Sequence, residues 1–335
     1  AMALTFRERD LKRILAWSTV SALGLLVMLI GLPGRGAATA TAAFLLAHAL
    51  YKAPLFFVAG NVDLAAGTRV IDELRGLGRR MPFTTVAGWM AGLSMAGIPL
   101  SFGHVAKDVI KVAKSDTGVF QWVVYAGVFV SAASIAAAGV ATARIFWPRR
   151  PVHPTAAREG RWPTWLPPLV VAALGIVFGL SPSSVGTLLS DAAQDMGAAA
   201  PLDEMRADKG ASGLALAVTY GLGFALFVGW DRLHALQARV KTPAVLRAEA
   251  WYAALMATIP ELASRGTRRL QNGRLSAYTA MLLAFVVAAL GGALAFGGAS
   301  RWPAPDLPAL GGPSVAVAGA TALLVGASLT VCVVR

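Results

Sequence analysis

Residues 37–62 read AATATAAFLLAHALYKAPLFFVAGNV. The run is apolar apart from His48, Lys52 and a few small polar residues. It exceeds the about 20 residues that a helix needs to cross a bilayer. Similar runs recur at about 12–32, 83–107, 119–147, 163–182, 212–230, 275–297 and 313–334. A membrane β-barrel would instead show alternating segments of roughly ten residues separated by turns. The runs here are unbroken. They predict an all-α, polytopic membrane helix bundle of about eight transmembrane helices.

Composition agrees. Of 335 residues, 56% are hydrophobic and only 14% are charged, where soluble domains carry about a quarter. This excludes a soluble enzyme. The net charge of +13 suggests nucleic acid until its distribution is read. One set of alternate loops holds Arg7, Arg9, Lys12 and Arg13, then Arg69, Arg75, Arg79 and Arg80. It continues with Arg144, Arg149, Arg150, Arg158 and Arg161, and ends in the many arginines of 232–274. The opposite loops are poor in cations. This is the positive-inside asymmetry. It predicts a multi-pass protein of the inner (plasma) membrane with both termini of this chain cytoplasmic. Anionic lipids, not nucleic acid, are the expected partner of the basic side.

Cys332 is the single cysteine, so no intrachain disulfide forms and no Cys/His metal spacing exists. There is no phosphate-binding glycine loop, nucleophile elbow or zinc motif. No cofactor or metal is expected. The first residues lack the apolar stretch and cleavage site of a signal peptide.

Along the chain, Pro33, Gly34 and Gly36 give a short turn between the first two spans. Gly97-Ile98-Pro99 interrupts the third span, since proline removes a backbone bond and clashes with the preceding turn. A broken helix near Gly97–Gly103, facing the bundle interior, is predicted. Residues 183–211 form an external acidic loop with a short helix around 184–196. Residues 231–274 are too polar to span, yet Leu246, Trp251, Leu255, Ile259 and Leu262 recur at helical spacing. Thr242-Pro243 reads as its start, Asn272-Gly273 as its stop, and Pro260 should break or kink it. A lateral helix on the cytoplasmic face fits this pattern. The expected order is the spans of 1–182, then the loop 183–211. A span plus the lateral helix follows at 212–274, and further spans at 275–335.

Two constellations carry chemistry. His48 and Lys52 lie four apart and share a helix face. Lys52 falls mid-span, where a charge costs several kcal/mol and usually marks an ion or proton path. Histidine titrates near neutrality, so the pair can hand a proton along. The bland alternative is a structural pair bonded to backbone. The second constellation is His104, Lys107 and Asp108, just after the break. Lys107 and Asp108 also read as interfacial, because Lys111 and Lys114 follow. Ser18 and Ser21 in the first span could support a water chain, or simply pack helices.

These motifs carry a resemblance. DLKRILAWSTVSALGLLVMLIGL at 10–32, LLAHALYKAPLFFVAGNVD at 45–63 and GTRVIDELRGLGRRMP at 67–82 resemble the antiporter-like subunits of complex I and of Mrp antiporters. The A-type subunit of the Mrp-type multisubunit Na+/H+ antiporter is the nearest of these. Residues 266–278, GTRRLQNGRLSAY, resemble that subunit's link from its lateral helix into the next span. The resemblance implies a transporter component rather than an enzyme, working with the other subunits of a membrane antiporter complex on protons and Na+. It implies a proton path through His48, Lys52 and Lys107, with Lys12 also on its axis; His104 and Asp108 join the candidate path by their spacing from Lys107 alone. The alternative it leaves is a proton-pumping subunit of a respiratory NADH-quinone oxidoreductase. Some positions depart from the family pattern. Leu100 stands for a second proline, His104 for a phenylalanine, Ala106 for a serine and Leu64 for a histidine, and Ser21-Ala22 replaces Ser-Gln. The family's channel has an earlier half with its own broken helix, so the resemblance implies that 1–182 is the C-terminal half of an antiporter-like proton-channel domain and the chain an internal piece of a longer subunit. It is expected not to transport ions alone.

Overall fold

A computed structural model describes residues 1–116, 121–147, 157–197, 200–202, 204, 213–239, 248–271 and 273–296. The described residues are helical, and their only extended pairing is an isolated bridge between Asp10 and Val70. The chain divides into two compact units, Ala1–Lys241 and Thr242–Arg335.

In the first unit α1 runs Leu11–Ile30 and α2 runs Arg35–Ala66. The third span is split into α3 (Pro82–Ala96) and α4 (Phe102–Asp116). Next come α5 (Gln121–Gly139), which passes into a π-turn at Val140–Arg144, and α6 (Trp162–Leu180). The short α7 (Gly186–Asp195), the spanning-type α8 (Gly213–Val228) and α9 (Trp230–Arg239) complete it. The broken helix and the helix in the acidic loop thus stand where the sequence predicted them. Asp203 and Asp208 of that loop lie outside the described residues.

Local chemistry accounts for the helix ends. The Asp10 carboxylate accepts from the backbone N–H of Lys12 (2.8 Å) and Arg13 (3.1 Å), capping α1. Pro82 opens α3, where the missing N–H costs nothing. The Glu159 carboxylate accepts from the N–H of Phe83 (2.8 Å) and Thr84 (3.1 Å), placing an anion at that N-terminus. α3 stops at Gly97, which is left-handed at φ 77°. The N–H of Ile98 returns to the Leu93 carbonyl at 3.0 Å and that of Gly97 to Ser94 at 3.0 Å.

α2 is the hub of this unit, in contact with α1, α3, α4, α6 and α7. His48, Lys52, Thr39 and Thr41 are buried with its apolar residues. Close backbone approach locks α4 and α6 onto the break. A Cβ on Gly103 would stand 1.8 Å from the Ser94 carbonyl oxygen. One on Gly179 would stand 2.3 Å from the carbonyl carbon of Ser101.

One end of the bundle is tied by charge. Arg9 reaches Asp72 (3.2 Å) and Asp231 (2.5 Å), while Arg144 reaches Asp72 (2.6 Å) and Asp231 (3.0 Å). Four segments from the basic set of loops are thereby joined. Burial by itself would raise the Asp231 carboxyl, but the hydrogen bonds and charges of Arg9 and Arg144 outweigh it and hold it below the usual range. Folded Asp231 therefore binds protons more weakly than unfolded. Its contribution is present at neutral pH and is lost as pH falls through the lowered value.

In the second unit α10 spans Ala248–Leu270 and α11 spans Leu275–Phe296. α10 runs on through Pro260, so the expected break does not occur. The carbonyl freed by that proline belongs to Met256, which is exposed and open to other partners. Gly273 is left-handed at φ 75°, as the stop signal requires. Thr242-Pro243, Asn272, Cys332 and the run at 313–334 lie outside the described residues.

Gly103→Ala should destabilise the fold by about 1–3 kcal/mol, because its new methyl meets fixed backbone. Gly186→Ala, with nothing within 4 Å of its Cβ, should be neutral. Thermal unfolding in detergent compares the two, and equal melting would contradict the close α3–α4 packing.

Candidate functional site

α2 brings His48 and Lys52 into the centre of the first unit. Lys52 is 5% exposed. Its Nζ donates to the Leu15 carbonyl at 3.0 Å and to Ser18 Oγ, both on α1. Ser18 Oγ also donates to the Leu15 carbonyl, at 2.8 Å. Lys52 thus sits among neutral oxygens, and no ion pair to it is found among the described residues. A buried cation without a carboxylate keeps much of its desolvation cost. Such a group holds its proton on terms set by a few neutral dipoles.

His48 is 9% exposed. Its Nδ1 lies 3.2 Å from the Tyr51 hydroxyl, and the two rings meet edge-on with centroids 5.3 Å apart. Tyr51 follows His48 by three residues, so helical spacing alone creates this pair. The hydrogen bonds seen tie His48 to Tyr51 and Lys52 to α1.

Along the same α1–α2 seam, Lys12 Nζ meets Asp63 Oδ2 at 2.8 Å. Both are about a third exposed. Asp63 lies eleven residues beyond Lys52, about 16 Å along the helix axis. Lys12 therefore stands at the mouth of the seam, and Lys52 deep within it.

The second cluster is built on the break. Where α3 ends, its last carbonyls lose their helical partners. Lys107 Nζ donates to the Ala96 carbonyl at 2.7 Å. His104 Nδ1 lies 3.2 Å from the Gly97 carbonyl, and the Tyr220 hydroxyl on α8 donates to that same oxygen. Asp108 pairs with His104 Nε2 (3.3 Å) and Lys111 (3.1 Å), while Lys107 is aimed at the backbone. A Cβ on Gly97 would lie 2.8 Å from Lys107 Nζ. The glycine thus leaves room for the ammonium group as well as for the positive φ.

Ser94 joins the regions. It is buried, and its Oγ accepts from the Gly103 N–H at 3.3 Å. A Cβ on Gly175 of α6 would meet both Ser94 Oγ (3.8 Å) and Leu50 Cβ (3.7 Å). The stretch of α2 holding His48 and Lys52 therefore passes beside the last turn of α3. Sequence reasoning named His48, Lys52, Lys107, Asp108, Lys12 and His104 but missed Tyr51, Asp63, Ser94 and Tyr220. Tyr51 and Asp63 were visible as helical neighbours of residues already chosen. Ser94 and Tyr220 carry no local signal.

Comparison with known proteins bears on this arrangement. The family described as NADH:quinone oxidoreductase/Mrp antiporter, transmembrane, matches residues 1–134. The A/B-type subunit of a probable K(+)/H(+) antiporter of Rhizobium meliloti is 42% identical over 102 residues, which is 30% of this chain and 10% of that protein. The A1-type subunit of the Na(+)/H(+) antiporter of Staphylococcus haemolyticus is 32% identical over 200 residues, which is 52% of this chain and 25% of that protein. Among solved structures, the Mrp complex from Dietzia sp. DQ12-45-1b aligns over 99% of this chain and 37% of its own, with a TM-score of 0.65 and 26% identity. The chain thus spans a small part of the relatives it matches. The resemblance to Mrp-type antiporter subunits is borne out by these similarities.

Proposed function

We propose that this chain is part of a membrane subunit of a monovalent cation (Na+)/proton antiporter complex. It carries the exit-side half of a proton path through His48, Lys52 and Lys107. The observation that carries the reading is Lys52, a buried lysine bonded to neutral oxygens of α1 in the hub helix. In lipid such a residue is expensive unless it works.

Lys52 receives a proton within the seam whose mouth holds Lys12 and Asp63. It passes the proton, by way of internal water and the region of Ser94, toward Lys107 at the break. His104 and Asp108 lie beyond, where the proton leaves. Na+ is exchanged by the complex, without a cation site assigned to this chain. The partners are the other subunits of the complex, with anionic lipids against the arginine-rich end. The positive-inside rule supports that end as cytoplasmic, in keeping with a chain of the inner membrane whose termini lie inside. The matched family also includes quinone oxidoreductases, but the names of the two relatives favour an antiporter.

In the complete complex reconstituted in vesicles, Lys52→Ala should slow proton-coupled cation exchange by tenfold or more, a rise of about 1.4 kcal/mol or more in the rate-limiting barrier. Ser18→Ala should cost less, about two- to threefold, because Leu15 still accepts from the ammonium. Undiminished exchange in Lys52→Ala would leave the lysine a structural relic. Gly97→Ala should impair exchange in the same direction as Lys107→Ala, since its methyl, 2.8 Å from Nζ, pushes the ammonium group off the Ala96 carbonyl. Full exchange in an assembled Gly97→Ala complex would remove Lys107 from the path.

A further inference from the structure

α8 lies against α5 along a seam that its small residues make tight. A Cβ on Gly223 would stand 2.8 Å from Ile135 Cβ, and one on Gly139 would stand 2.8 Å from Phe227 Cδ2. Contacts so close leave little freedom for α8 to slide. From this fixed helix the half-buried Tyr220 extends its hydroxyl to the Gly97 carbonyl. That oxygen, with two lone pairs, also faces His104 Nδ1. One peptide earlier, the Ala96 carbonyl takes Lys107 Nζ. The two carbonyls belong to consecutive residues at the place where this span lacks helical hydrogen bonding. The two peptides meet at the Gly97 Cα, so holding the Gly97 carbonyl restricts the backbone rotations by which the Ala96 carbonyl could turn. His104 cannot fix that peptide by itself, because its other nitrogen is engaged with Asp108 and it rides on α4, the same helix as Lys107. Tyr220 is anchored outside the broken span. It brings a donor without bringing a charge.

We infer that Tyr220 is a positioning residue for Lys107: its hydroxyl, held by the α5–α8 seam, fixes the Gly97 carbonyl and through it the acceptor on which Lys107 rests. The inference depends on the proposed proton path. It adds a residue on a different helix, which does not carry the proton. Its function is to keep the terminal lysine in one orientation between protonations.

The test uses the complete complex in vesicles, with Tyr220→Phe beside Lys107→Ala. Phenylalanine keeps the ring and removes only the hydroxyl. The expected result is a three- to tenfold lower maximal exchange rate, about what one hydrogen bond accounts for. The amount of assembled complex and the half-saturating Na+ concentration should be unchanged, because the α5–α8 seam and the cation site are untouched. An unchanged maximal rate overturns the inference. So does loss of assembly or a shifted half-saturation, either of which would make the hydroxyl a general folding contact. Should Lys107→Ala itself exchange at full rate, the proton path is what fails, and the positioning role fails with it. Impaired Lys107→Ala beside intact Tyr220→Phe refutes the tyrosine's role alone.

Discussion

A helix that stops inside a membrane must find donors for the carbonyls of its last turn. No bulk water is there to supply them, and each unsatisfied group costs several kcal/mol. The break between α3 and α4 meets this demand with three side chains, Lys107, His104 and Tyr220, on two adjacent carbonyls. Two of those side chains, Lys107 and His104, can carry charge. The groups that make the break tolerable are thus the groups that could carry charge through it, and the structural need and the chemical capacity are one arrangement. The close packing of Gly103 against Ser94 and of Gly179 against Ser101 follows from the same demand. Only backbone-to-backbone contact shields so irregular a segment from lipid.

Lys52 shows the converse constraint. There the donor is a buried cation and the acceptors are neutral, the Leu15 carbonyl and Ser18. Carboxylates stand instead away from Lys52, as Asp63 with Lys12, Asp108 with His104 and Lys111, and Asp72 and Asp231 with Arg9 and Arg144. A carboxylate beside Lys52 would hold its proton more tightly. The partly exposed pairs Lys12–Asp63 and Arg9–Asp72 tie segments of the first unit together.

Much of this was legible beforehand. Apolar run length located the long helices α1, α2, α5 and α6, because the thickness of the bilayer is a fixed ruler. The break was legible because glycine followed by Ile98-Pro99 cannot continue a helix. His48 and Lys52 declared themselves by being polar where nothing polar is cheap. What stayed hidden depends on how helices meet. Tyr220 looks like any aromatic in an apolar segment until α8 is set beside the break. Ser94 looks like a packing serine until α4 turns back onto it. Pro260 misleads for a related reason. A proline in an exposed helix leaves a carbonyl that can find another partner, so the helix runs through it.

Two departures from the family pattern have a common geometric basis at the break. Leu100 is left-handed at φ 78°, the only described non-glycine residue in that region. A proline is fixed near −65° and cannot adopt that angle, so a second proline at this position is incompatible with the turn seen here. Holding a leucine there costs about 1–2 kcal/mol, which neighbouring contacts must offset. Ser101 donates to the Ile98 carbonyl at 2.7 Å, and His104 bridges the Gly97 carbonyl and Asp108. A phenylalanine at 104 would offer neither bond. The replacement of a ring proline by leucine and of an apolar ring by an imidazole therefore act together. The first makes a turn that proline could not, and the second supplies a donor that phenylalanine could not.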